Sequence, residues 1–194
     1  MQKTKLQTQK LVLGAIMTAL VIILQLIGSF TTFFGPFSTA VALIPIVLGA
    51  AMCGTAIGAW LGFIFGVVVI ASGGAALFFA FDIPGTIITV LLKGTLCGLA
   101  AGLVHKALKK INEYLAVLAA AIVCPLVNTG VFLLGCYVFF MDSATQIAQT
   151  LNLPFAGMAV FWALAMGNFA LEIISTAVLS PVITRVLNLF KRKI

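Results

Sequence analysis

The sequence predicts an all-α integral membrane protein, with six transmembrane helices in one compact bundle. The whole of 1–194 forms a single domain with both termini in the cytoplasm. Three observations predict it. Of 194 residues, 63% are hydrophobic and 8% charged, against about 25% charged in soluble domains, an excess no soluble core of this length absorbs. The apolar residues fall into six runs separated by turn signals. The basic residues cluster at three places that an even number of spans brings to one side.

The predicted helices cover 11–29, 37–52, 54–71, 84–105, 115–141 and 158–188. The first run, Leu11–Ile27, is long for a signal sequence and is followed by no small-residue cleavage site, so it is read as a retained helix. Gly35–Pro36 separates it from the second span, which is short and carries Pro45, a candidate kink. Cys53–Gly54 divides the second span from the third. Ser72-Gly73-Gly74, Asp82 and Pro84 bracket the connection to the fourth. A basic loop at 106–114 leads to the fifth span, and a polar segment at 142–157 to the sixth.

Charge placement orients this bundle. Lys3, Lys5 and Lys10 precede the first span; Lys106, Lys109 and Lys110 fill one loop; Lys191, Arg192 and Lys193 form the tail. The opposite loops, 30–36, 72–83 and 142–157, hold no Lys or Arg. The positive-inside rule therefore places both termini in the cytoplasm of a multi-pass protein of the cell membrane. The net charge of +7 is juxtamembrane and faces anionic lipid, not nucleic acid. Cys53, Cys97, Cys124 and Cys136 lie scattered in apolar runs without CxxC spacing or companion histidines, and read as small buried hydrophobes, with no metal and no cofactor implied. A lone His105, read as interfacial, and four scattered acids offer no catalytic constellation, and no Walker A sequence is present. The chain is expected not to be an enzyme, and any ATP hydrolysis would reside in partner subunits.

Lys93 carries the most information. Between Lys10 and Lys106 it is the only basic side chain, and it sits in an otherwise apolar span. A charge at that depth costs at least about 2.5–3.5 kcal/mol, which marks a functional site by default. At 1.5 Å per residue it lies roughly 14 Å below the outer start of its helix. Asn168 lies about 15 Å below the start of the sixth span, and Asn128 about 20 Å from the end of the fifth. A cation and two amides on three helices thus fall at broadly similar depths, suited to a carboxylate and the hydroxyl or amide groups of a small solute.

Each has a rival role. Glu172, the one acid deep in a span, lies one turn beyond Asn168 and can pair with Lys93 as an internal bridge. Asn128 and Thr129 follow Pro125 and can repair the helix defect that proline makes. Asn168 can bond a neighbouring helix. In the outer loops, Thr32, Phe34 and Phe79 sit in aromatic, glycine-hinged stretches that either anchor at the interface or close over a ligand.

Small residues mark helix faces. Gly54, Gly58, Gly62 and Gly66 recur every four residues, as do Gly94, Gly98 and Gly102, so each set lines one face and admits a close backbone. Packing inside the bundle is one use; docking of another membrane protein is the other. Ala15 and Ala19, beside Gly14 and Thr18, form a similar patch in the first span.

In size, in its six spans, in both termini lying inside and in the Ala15-Ile16-Met17-Thr18-Ala19 patch, nearly the whole chain resembles the substrate-binding S components of energy-coupling factor (ECF) transporters. The patch is similar to the AxxxA element with which those proteins dock the transmembrane coupling subunit, which implies that role for Ala15 and Ala19. The resemblance further implies high-affinity capture of a vitamin from outside and import with a coupling subunit (T component) and two ATPase subunits. It implies a ligand site between the outer loops and helices four to six, where Lys93, Asn128 and Asn168 fall. Gly35-Pro36-Phe37 through Gly66, the 125–130 segment and Asn168-Phe169-x-x-Glu172 look most similar to the pantothenate group, with riboflavin and folate groups sharing the frame. A competing class is a non-transporting regulatory bundle whose glycine faces are its working surfaces.

Overall fold

Long apolar runs without interior breakers fold as helices, and the breakers set their ends. The computed structural model describes residues 2–31, 41–154 and 156–191. In chain order its helices are α1 (Gln2–Thr31), α2 (Leu43–Cys53), α3 (Thr55–Ala71), α4 (Ala76–Phe79), α5 (Ile83–Leu108), α6 (Glu113–Phe139), α7 (Ala144–Thr150) and α8 (Met158–Lys191). Among the described residues, α1, α5, α6 and α8 contain apolar stretches long enough to cross a bilayer. The apolar α2 and α3 have 11 and 17 residues, or about 16 and 26 Å, against a hydrocarbon core of about 30 Å.

The caps are local and readable. Asp82 accepts from Gly85 N through Oδ1 at 3.1 Å, with Pro84 in the first turn of α5. Asn112 caps α6, accepting from Tyr114 N at 2.8 Å and Leu115 N at 3.3 Å. Between α2 and α3, Gly54 takes φ +104°, which a side chain would resist.

Several expectations change. Helix α1 starts at Gln2, not near residue 11, because the polar N-terminal residues continue the helix. Helix α2 starts at Leu43, not 37, which puts Pro45 in the first turn, where its missing N–H breaks no helical bond. Pro45 therefore makes no kink. The connections at 72–83 and 142–157 are partly helical, holding α4 and α7, because Leu77, Phe78, Ile147 and Ala148 have an apolar cluster of Cys136, Phe140, Val160 and Phe161 to pack on. His105 is buried, 3% exposed, and its Nε2 lies 3.0 Å from Glu113 Oε1, tying the end of α5 to the start of α6. Cys97, Cys124 and Cys136 are buried free thiols and Cys53 is half-buried.

Helix α2 sits at the centre, touching α1, α3, α5, α6 and α8. Its Leu43, Ile46, Val47 and Ala50 join Val21, Leu61, Phe65 and Val117 in the main core. A helix so enclosed has little need to reach both membrane faces, which explains how 11 residues suffice.

The glycine ladders face each other. A methyl group at Gly62 would land on the Gly94 carbonyl, and one at Gly98 on the Gly58 carbonyl; at Gly66 it would stand 2.9 Å from Val90 O. Helices α3 and α5 thus pack backbone on backbone, and any side chain at these points would force them apart. Gly54 is the exception, serving the α2–α3 break. By contrast Ala15 and Ala19 are exposed on α1, among Leu11, Val12, Ile16 and Leu20.

Candidate functional site

Helix α5 has one face committed to α3, which turns Lys93 another way. Lys93 shares a stripe at four-residue spacing with Thr89 and Cys97, and the Thr89 side chain lies against Gly135 of α6. The stripe therefore faces α6. There the Lys93 Nζ stands over the Phe132 ring, 5.3 Å from its centroid, a cation–π distance. Phe132 is held edge-on by Phe78 of α4, with centroids 5.5 Å apart and planes at 86°.

On the next seam Asn128 of α6 meets Glu172 of α8. Asn128 Nδ2 donates to both carboxylate oxygens at 3.2 Å, and both residues are buried, 4% and 2% exposed. A carboxylate can only accept, so the amide N–H₂ must face it and Asn128 Oδ1 must turn away. That oxygen has no hydrogen-bond partner.

Asn128 is free for this because another residue mends the proline. Pro125 has no N–H to give the Ala121 carbonyl, four residues back in α6. Thr176 of α8, fully buried, holds its Oγ1 2.8 Å from that carbonyl and 2.6 Å from its own helix's Glu172 carbonyl, so its one proton is shared between the two. The repair that Asn128 and Thr129 could have made, one of the two roles open to them on sequence, is thus offered from a different helix. Thr176 is one turn from Glu172 on the same face of α8, so a single stripe both closes the defect and supplies the carboxylate.

These groups surround one cavity of about 290 Å³. Lys93, Asn128 and Asn168, the three grouped by depth, all line it, and so does Glu172, the rival partner of Lys93. Thr32 and Phe34 lie outside the described residues. Phe79 lies elsewhere, against the main core, while its neighbour Phe78 lines the cavity; in a four-residue helix adjacent side chains diverge by about 100°.

Sequence reasoning missed Gln25 and Ser29, which α1 brings to the same cavity. Gln25 is 1% exposed. The signal was present as the one amide inside the first apolar run, and it was passed over because that helix was read for its alanine patch. Ser29 Oγ lies 2.8 Å from Ser72 Oγ, fastening α1 to the turn after α3. Gly74 of that turn also lines the cavity.

Among the described residues the cavity holds one ammonium, one carboxylate, three amides and, on its apolar side, Val69, Leu77, Phe78, Phe132 and Leu164. Lys93 and Glu172 put opposite charges on its wall. Such a lining suits a compact solute with an anionic end, polar groups along its length and some apolar surface. Cavities for small molecules run from about 300 to 1,000 Å³, so this one lies at the small end.

A family model described as "ECF transporter, substrate-specific component" matches residues 9–184. No curated protein and no solved structure matches the chain.

Proposed function

The chain belongs to the family of ECF transporter substrate-specific components, and from that premise we propose that it captures pantothenate from outside the cell at high affinity for import. The coarser function follows from membership. The chain is a substrate-binding, multi-pass membrane subunit and not an enzyme; ATP hydrolysis belongs to partner subunits that act with a T component.

The observation that carries the substrate reading is the cavity in which Lys93 stands beside the Asn128–Glu172 pair. Pantothenate is a small anion bearing hydroxyls and an amide. Its carboxylate matches the one ammonium, its polar groups match the amides, and its size matches about 290 Å³. Riboflavin and folate, with fused rings, fit a small cavity less well.

The same reading takes all six apolar helices as spans and both termini as cytoplasmic. Lys106, Lys109 and Lys110 lie at the α5–α6 connection, while the cavity takes its lining from the α3–α4 turn at the other end of α5. The cavity then faces outward. Exposed Ala15 and Ala19 of α1 are the T-component docking patch. The rival class, a regulatory bundle working through its glycine faces, loses support because Gly58, Gly62, Gly94 and Gly98 are used up between α3 and α5.

A thermal-shift screen of the purified protein against B vitamins tests this function. Pantothenate should raise the melting temperature without ATP, since a ligand at 100 times its Kd stabilises by about 2.7 kcal/mol. A shift with another vitamin alone would replace the substrate, and no shift with any would remove the reading. Recovery of a T component and two ATPases on purification, lost in Ala19→Trp, tests the partners.

A further inference from the structure

Two buried amide oxygens in the cavity have no protein partner, and their orientation follows from their neighbours. Asn128 Oδ1 turns away from Glu172, as its N–H₂ must face the carboxylate. Gln25 behaves alike on α1. Its Nε2 lies 3.4 Å from Ser29 Oγ, and among the described residues the single Ser29 proton has the Gln25 backbone carbonyl at 2.9 Å and Ser72 Oγ at 2.8 Å as acceptors. With its proton so used, Ser29 accepts from the Gln25 amide, and Gln25 Oε1 points away without a partner. Gln25 is 1% exposed and Asn128 4%, and both line the cavity that holds Lys93.

Buried polar atoms are nearly always hydrogen-bonded, and an exception calls for a specific reason. Two exceptions of one kind on the wall of one cavity share a reason. Both are acceptors, so what answers them is a pair of donors. We infer that Gln25 Oε1 and Asn128 Oδ1 receive two hydroxyl donors from the solute whose anionic end meets Lys93. The substrate class is thereby narrowed to small anions carrying at least two donors, and Gln25 becomes a specificity-determining residue on the helix that bears the Ala15–Ala19 patch. A simple carboxylic acid with an apolar tail would leave both oxygens bare and be rejected. This inference rests on the capture function proposed above.

The test uses the full-length protein in detergent, pantothenate, and two pantothenate analogues that each lack one hydroxyl, with Kd measured by calorimetry. Gln25→Leu should weaken pantothenate by about tenfold, the scale of one hydrogen bond left unmade. One of the two analogues should bind Gln25→Leu and the native protein with the same Kd, because its missing hydroxyl is the partner of Gln25. The empty Gln25→Leu protein should melt no lower than the native one, since the change removes an unanswered buried acceptor. A structural role predicts the reverse, with a lower melting temperature and no coupling to the ligand's hydroxyls.

Gln25→Glu keeps size and acceptor but adds a negative charge, and should weaken the anion by more than Gln25→Leu does. Unchanged pantothenate affinity in Gln25→Leu, or an equal loss for all three ligands, overturns the acceptor assignment while leaving pantothenate capture intact. A native protein that binds none of the B vitamins overturns the capture function, and this inference with it.

Discussion

Two seams of the bundle are built on opposite rules. Between α3 and α5, side chains are absent at the points of closest approach, and glycine meets glycine: Gly62 with Gly94, Gly58 with Gly98. Between α6 and α8, side chains do the joining, through Asn128 to Glu172 and Thr176 to the Ala121 carbonyl. The first seam has one arrangement, because a backbone cannot be repacked. The second is made of hydrogen bonds that can exchange partners, and the cavity opens beside it. A solute that must be held and later released needs both: a frame that stays put and a polar wall that can answer it.

The largest effect should come from breaking the frame. Gly94→Val drives a branched side chain into the Gly62 carbonyl, and should exceed the about 1–3 kcal/mol typical of an overpacked site, since the obstacle is backbone. No monodisperse protein should be recovered by size exclusion. Gly130→Ala is the contrast: nothing lies within 4 Å of the added methyl in α6, and stability should hold or rise slightly. Equal tolerance of both would refute the difference between the seams.

Next comes the polar wall. Lys93→Ala should fold and melt near the native temperature, yet bind pantothenate about 100-fold more weakly, the scale of a charge-assisted hydrogen bond lost in a buried site. Unchanged affinity would remove Lys93 from the ligand site and leave it to Phe132 and Glu172.

Thr176→Val keeps shape and removes the hydroxyl. It should lower stability by about 1–3 kcal/mol through the unpaired Ala121 carbonyl. Pro125→Ala restores the backbone N–H, so in that background the same change should cost much less. Equal cost in both backgrounds would mean that Thr176 is not mending the proline.

Much of this was legible in the sequence, for reasons of length scale. Residues in one apolar run share a helix, and their depth follows from counting, which is how Lys93, Asn128 and Asn168 were grouped, with Glu172 one turn beyond as the rival partner of Lys93, without knowing how the helices pack. Counting along one helix cannot say which neighbour a face meets. That is why the two glycine ladders were recognised but not paired, and why Thr176, a residue of α8 serving a proline of α6, stayed invisible. Gln25 was missed for a different reason: a lone amide in an apolar run matters only once its surroundings prove to be a cavity. The 142–157 segment read as polar loop because α7 hides three apolar contacts, Ala144, Ile147 and Ala148, among hydrophilic neighbours.

The smallest expected effect is the most discriminating about the wall. Before any ligand enters, the ammonium of Lys93 and the carboxylate of Glu172 already stand on one cavity wall with opposite charges. An incoming anion must share that ammonium with Glu172. Glu172→Gln removes the competing charge and keeps an oxygen for one of the two Asn128 N–H bonds. Pantothenate should therefore bind about fivefold tighter, the low end of coupling between linked groups. Combined with Lys93→Ala, the gain should vanish, because nothing is left to share. A gain that survives in the double variant would mean that Glu172 repels the anion directly. A loss would mean that the carboxylate's hold on Asn128 matters more to the ligand than its charge does, and the α6–α8 seam would then be as rigid in function as the glycine seam is in packing.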